Sequence, residues 1–219
     1  MREPILITGI ARSGTSLVAN IIDQAGANGG EMNLNPIPVE QPTGFYENTE
    51  FDTKISKWIL AEHGYDQRGQ KAMPGKDFLP FDVRELAFDI MRGQGVGEDE
   101  VWFVKNCKAI LIFHTYLESF PGSKWVLVRR NMDDIVDSCI RASFMGSRHT
   151  LGEWNEWYIH WKGLLDELKR QAGDSLREVW YEKLMEGDYR EVENVLTWLG
   201  LRYDEKYIDN IIIRKDGKY

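Results

Sequence analysis

Only two of the 219 residues are cysteine, Cys107 and Cys139. That excludes a multi-bridge disulfide framework, and the mixed or apolar neighbours of both point to buried free thiols. Long apolar runs are missing too: none reaches the roughly 20 residues needed to cross a bilayer. The chain opens Met1-Arg2-Glu3-Pro4 and passes straight into a strand-like segment, so no leader peptide is expected and a soluble, cytoplasmic protein is. Positive charge is in deficit, with 27 Lys and Arg against 35 Asp and Glu and a net charge of -8. This argues against a non-specific nucleic-acid binder, whose phosphate contacts need a basic surface, but it leaves room for a local basic pocket. No His/Cys/Asp cluster has metal-ligand spacing, and no metal is expected. There are no repeats, low-complexity tracts or linkers. With 42% hydrophobic residues, the chain reads as one sizeable domain over 1–219.

What is present alternates between strand and helix patterns. Residues 5–9, ILITG, are a short β-branched run ended by Gly9. From Thr15 to about Ala25, apolar Leu17, Val18, Ile21 and Ile22 recur at helical spacing. Residues 26–50 read as a long loop. Asn48 then caps a helix to about Glu62 with Phe51, Ile55, Trp58 and Ile59 on one face. Residues 64–80 are loop-like, and Asp82 caps a helix to about Met91. Val101–Val104 reads as a strand, 109–119 as a helix, and Lys124–Arg129 as a strand apolar on both faces. Helices follow over about 132–143 and 151–171, the second carrying Trp154, Trp157, Ile159, Trp161, Leu164, Leu165 and Leu168. For its tryptophans a core or lid face is the expectation, not a sugar platform. A strand over 176–181, a helix over 189–199 stopped by Gly200, and a last helix over 204–213 complete the pattern. The expected fold is α/β, three layers, with a central parallel sheet flanked by helices as in P-loop proteins.

The segment Gly9-Ile10-Ala11-Arg12-Ser13-Gly14-Thr15-Ser16 nearly fits the phosphate-loop pattern G-x-x-x-x-G-K-[ST]. It lies between a strand and a helix, as such a loop must. The lysine is replaced by Thr15, and Arg12 supplies a cation inside the loop instead. A helix N-terminus binds an anion through its free N–H groups and dipole without any lysine. The lysine's task is to hold the outer phosphates of a triphosphate, so its absence points to a shorter ligand. A second basic group stands at the end of the strand 124–129, where ligands of parallel sheets gather. There Arg130 precedes Ser138 by eight residues. With a helix from Met132, Ser138 shares a face with Asp134 and Arg141, and the plain alternative is a local ion pair to Asp133 or Asp134.

Two such sites suit a nucleotide phosphorylated at both ends of its ribose. The chain resembles the sulfotransferases that use 3′-phosphoadenosine-5′-phosphosulfate (PAPS). Arg12-Ser13-Gly14-Thr15-Ser16-Leu17 reproduces their R-S-G-T-[ST]-L loop. Val128-Arg129-Arg130 through Asp134 to Ser138 follows their R-R-D-P-x-D-x-x-x-S motif, with Asn131 for Asp and Met132 for Pro. Three further segments match in order: Pro42 to Asn48, Phe103 to Lys108 with Cys107 in place of Pro, and Trp180-Tyr181-Glu182-Lys183-Leu184 followed by Leu196 to Leu201. The resemblance covers residues 5–201.

It implies that residues 12–17 bind the 5′-phosphosulfate, that Arg130 and Ser138 bind the 3′-phosphate, and that Tyr181 contacts the nucleotide. It also implies PAPS as co-substrate, adenosine 3′,5′-bisphosphate (PAP) as product, and a carbohydrate, small-molecule or peptide hydroxyl as acceptor. Arg12 would stabilise the leaving phosphate, and Lys105 at a strand end would touch the bridging oxygen or the acceptor. The general base stays open. Glu31 follows the loop at a suitable distance, Glu47 has the better motif match, and His63 and His114 qualify by type. The basic end 214–219 resembles a 3′-phosphate clasp without most of its residues. The competing readings are a P-loop kinase and a non-catalytic nucleotide-binding protein.

Overall fold

The computed structural model describes residues 1–38, 40–41, 43–71, 81–148 and 150–215, with only the backbone of Ile213, Arg214 and Lys215. In chain order the elements are β1 (Ile5–Thr8), α1 (Thr15–Gln24), β2 (Met32–Asn33), β3 (Glu47–Asn48) and α2 (Thr49–Phe51). A π-helical turn (Asp52–Lys57) leads into α3 (Trp58–Glu62), followed by α4 (Arg84–Gly93) and β4 (Phe103–Lys105). After a 3₁₀ turn (Cys107–Ile112) come α5 (Phe113–Ser119), β5 (Lys124–Arg129), α6 (Met132–Arg141) and α7 (Leu151–Ala172). The chain ends with β6 (Leu176–Trp180), α8 (Tyr181–Met185), α9 (Arg190–Leu199) and α10 (Glu205–Lys215).

Four strands form a parallel sheet in the order β4-β1-β5-β6. Their side chains alternate between two cores. Leu6, Val104 and Leu127 face one core, shared with α6 and α7, while Ile7, Phe103 and Val126 face the other, shared with α1, α9 and α10. The helix after β1 thus covers one face of the sheet and the helix after the neighbouring β5 covers the opposite face. That divergence opens a crevice at the carboxyl ends of β1 and β5, the switch point where parallel α/β sheets bind ligands. Among the described residues no helix is long and apolar enough to cross a membrane.

Four local expectations are corrected. The stretch 26–50 is not all loop: β2 pairs antiparallel with β3, Met32 opposite Asn48 and Asn33 opposite Glu47. Two residues per strand are too few to leave an alternating pattern in sequence. The helix from Asn48 is interrupted by the π turn, although Asn48 does cap it by accepting from Phe51 N at 3.0 Å. The wider turn rotates the residues after it, so Phe51, Ile55 and Ile59 are buried while Trp58 is 41% exposed and packs at a tilt against Phe81. On α7 the three tryptophans are buried, whereas Ile159 is on the outer face. The helix expected over 109–119 begins instead as the 3₁₀ turn, started by Asn106, whose side chain accepts from Lys108 N.

Candidate active site at the carboxyl edge of the sheet

The loop between β1 and α1 is shaped by close approach. A Cβ on Gly9 would lie 2.5 Å from Val128 O, so only glycine lets the loop leave β1 against β5. Arg12 has φ 74° and Gly14 φ 98°, both left-handed. At Gly14 an added Cβ would stand 2.4 Å from the Tyr181 ring, so the ring packs directly on the loop backbone. Gly14→Ala is therefore expected to cost about 1–3 kcal/mol, a fall of roughly 5 °C in Tm. Thermal melts of variant and parent check this, and a variant as stable as the parent would contradict it.

Helix α1 starts at Thr15 with no side-chain cap, so its first N–H groups face the crevice free to receive an anion. Two of the three loop hydroxyls already have partners: Ser16 donates to Phe45 O at 3.0 Å and Thr15 Oγ1 sits 3.3 Å from Cys107 Sγ. The third, Ser13 Oγ, is buried with no hydrogen-bond partner among the described residues. Leu17 is buried in the core behind the loop, so its place in the motif serves packing.

The two sequence motifs meet through their arginines. Arg12 Nε donates to Ser138 Oγ at 3.0 Å, its Nη1 to Gln41 Oε1 at 3.1 Å and its Nη2 to Glu40 O at 2.9 Å. Burial lowers its pKa, but arginine starts so high that it stays charged. Arg130 Nη1 donates to Arg12 O at 3.0 Å, and its guanidinium lies 4.5 Å from the Tyr181 ring centre. Its Nε is buried and has no partner among the described residues. Arg129, by contrast, pairs with Glu178 at 2.9 Å. Arg141 pairs with Asp137 on the outer face of α6 and does not join Ser138, correcting the face assigned from sequence spacing.

A second charged wall runs along β3, the π turn and the end of β4. Lys105 Nζ is 2.8 Å from Glu47 Oε1, and Lys108 Nζ is 2.8 Å from Asp52 Oδ1 and 3.9 Å from Glu47 Oε2. Lys57 Nζ is 3.0 Å from Asp52 Oδ2, and Asn106 Nδ2 donates to Asp52 Oδ1 at 2.9 Å. Burial alone would push the Glu47 carboxyl up, but the charges of Lys105 and Lys108 outweigh it and hold it below the usual carboxylate range. The same balance, with Lys108 as chief partner, holds Asp52 down. Lys105 and Lys108 are raised: burial opposes their charge, but nearby negative groups, Glu47 in both cases, more than offset it.

Both walls line one cavity of about 660 Å³. Among the described residues six cationic side chains border it, Arg12, Lys57, Arg68, Lys105, Lys108 and Arg130, against three acidic ones, Glu40, Glu47 and Asp52. A chain of net charge -8 thus concentrates positive potential at one place. Glu31 is not there. It is exposed in a shallow depression with Met32, Asn33 and Thr49, and its backbone N–H donates to Gln94 Oε1. His63 and His114 do not border the cavity either. Residues 216–219, and with them most of the basic C-terminal segment, lie outside the described residues. Sequence reading missed Lys108, Asp52 and Lys57. The only signal was their spacing, three residues after Lys105 and five apart across the π turn. Among the described residues no group of three or more His, Cys, Asp and Glu could hold a metal ion. Cys107 and Cys139 are both free and buried, and burial pushes the Cys139 thiol up to about 12.

Fold and site together define a three-layer α/β protein with a cationic cavity at the carboxyl edge of its sheet. A family model described as the sulfotransferase family matches residues 4–205, and the chain belongs to that family. It is therefore a transferase of sulfuryl groups. Solved structures agree on the fold. The sulfotransferase domain of the Synechococcus PCC 7002 olefin synthase aligns with TM-score 0.59 at 14% identity, over 94% of this chain and 76% of that one. Sulfotransferase STF9 of Mycobacterium avium gives 0.58 at 13%, over 97% and 68%. Sulfotransferase STF1 of Mycobacterium tuberculosis H37Rv gives 0.53 at 14%, over 97% and 71%. No curated protein sequence matches the chain significantly.

Proposed function

We propose that the chain transfers the sulfuryl group of PAPS to a hydroxyl of a small-molecule or carbohydrate acceptor, releasing PAP. The observation that carries this reading is the junction of the two motifs: Arg12 on Ser138, and Arg130 on the Arg12 carbonyl, beneath the open N-terminus of α1. The donor set suits a nucleotide with separate 5′ and 3′ anions. The orphaned Nε of Arg130, a side chain that borders the cavity, is a buried donor that a phosphate would satisfy. When bound, PAPS supplies the transferable sulfuryl group on a 5′-phosphate leaving group.

Arg12 and the first N–H groups of α1 stabilise the charge that builds on that phosphate as the bond to sulfur breaks. Arg130, braced by Tyr181, holds the 3′-phosphate. Lys105 donates toward the bridging oxygen. Glu47 accepts the proton of the acceptor hydroxyl as its oxygen attacks in line. Glu47 is chosen over Glu31 because it borders the same cavity as Arg12, whereas Glu31 does not.

The direct test is a thermal shift. At a hundredfold excess over Kd, PAP should stabilise the fold by about 2.7 kcal/mol, a rise of roughly 5–10 °C, while ATP with magnesium does little. Equal shifts for the two would sink the PAPS reading and favour a kinase.

A further inference from the structure

The cavity holds more positive charge than the donor reading uses. Arg12 and Arg130 belong to the nucleotide, and Lys105 and Lys108 are matched by Glu47 and Asp52. Two cations remain. Lys57 leans on Asp52, whose charge Lys108 already neutralises. Arg68 has no ion-pair partner among the described residues.

Arg68 is exposed and Lys57 half-buried, and each rides on a defined stretch of backbone at the cavity edge. Lys57 reaches the cavity because the π turn brings positions five apart onto one side, which a regular α-helix does not. Such turns are frequent at functional sites. Arg68 rides on a turn held from several directions. Asp66 accepts from the N–H groups of Arg68, Gln70 and Lys71 at 3.2, 2.8 and 3.1 Å. Trp157 Nε1 donates to Gly69 O at 2.8 Å, and Arg148 Nε to Gln70 O at 2.7 Å. Gln70 Nε2 donates to Phe144 O at 3.0 Å. With its backbone already fixed, the arginine has only side-chain rotamer entropy left to lose when it binds an anion. The remaining wall is apolar, made by Phe45, Phe144, Met145, Trp157 and Trp161. Within it Trp161 Nε1 is buried without a partner among the described residues, a donor that an acceptor oxygen would satisfy.

We infer that the acceptor is a hydroxylated carboxylate with an apolar body, its carboxylate received by Arg68 and Lys57 and its body by the Trp157–Trp161 wall. This rests on the sulfotransfer reading above. It reconciles the acidic chain with an anionic acceptor, since the attraction is local to the cavity.

The test is binding to protein saturated with PAP, read by tryptophan fluorescence because Trp157 and Trp161 line the cavity. The probes are two matched pairs, para-hydroxyphenylacetate with its amide and ω-hydroxydecanoate with its amide. At least one acid should bind about tenfold or more tightly than its amide, the ratio one charge-assisted contact gives. In Arg68→Gln, and in the double variant with Lys57→Met, that ratio should fall to about unity while the PAP thermal shift is unchanged. Equal binding of acid and amide, binding of neither pair, or a preference that survives both substitutions overturns the inference. A failure of the donor reading would show separately, as the absence of the PAP shift in the parent protein.

Discussion

Arg12→Ala is expected to weaken PAP binding by about 10- to 100-fold, the loss of roughly 1.5–3 kcal/mol of charge-assisted hydrogen bonding. Turnover, followed as PAP release, should fall further, by about 10²–10³-fold, because in the proposed reaction the guanidinium would face charge that develops only in the transition state. The change also strips a donor from Ser138 Oγ, Gln41 Oε1 and Glu40 O, so a modest drop in Tm accompanies it. Arg12→Lys separates charge from geometry. It keeps the cation but cannot serve three acceptors set in a planar fork, so it should recover part of the affinity and little of the rate. Calorimetric titration with PAP is the measurement, and unchanged affinity in Arg12→Ala would remove Arg12 from the donor site.

Glu47→Gln should leave PAP affinity close to normal and lower kcat by about 10²–10⁴-fold, the range for loss of a positioned base. Glutamine keeps an oxygen for Lys105 but can take no proton. Because Glu47 is held below the ordinary carboxylate pKa of about 4.3, it is ionised at neutral pH, and the acidic limb of the parent's kcat/KM should lie below that value.

The stability sign follows from the same depression. A carboxylate whose pKa falls on folding stabilises the native state above the unfolded value, and that contribution is lost as pH drops through the folded value. Glu47→Gln removes it, leaving Lys105, itself 3% exposed, short of a counter-charge at a cost of about 3 kcal/mol. The low end applies because the Glu47 side chain retains 21% exposure and Lys108 keeps Asp52. Glu47→Asp restores charge with a shorter reach, so it should regain stability ahead of rate. Full turnover in Glu47→Gln would place the base elsewhere.

The helices and sheet strands were legible because each carries a repeating signal: apolar spacing in α1 and α9, a doubly buried run in β5, Gly200 as the left-handed stop of α9. The two-residue strands β2 and β3 carry no such period, and they set Glu47 beside β4. The π turn was equally silent. Phe51, Ile55 and Ile59, before, within and after it, satisfy a plain helical pattern, and only the exposure of Trp58 reveals the extra residue in the turn.

Taken alone, the sequence determined the α/β order, the glycine turn with Arg12, and the spacing of Arg130 just past β5 from Ser138 on the helix that follows, because loops that approach a ligand by backbone need particular residues at fixed offsets. It could not rank Glu31 against Glu47, since proximity in the chain says nothing about which side of a sheet edge a carboxylate reaches. Tertiary structure separates their positions: antiparallel pairing of β2 with β3 leaves Glu31 outside the cavity and places Glu47 against Lys105. It also gathered Lys57, Arg68 and Lys108, from three separate segments, onto one cavity wall. Their convergence depends on long-range packing against α7 and β4, a property no local stretch of sequence encodes.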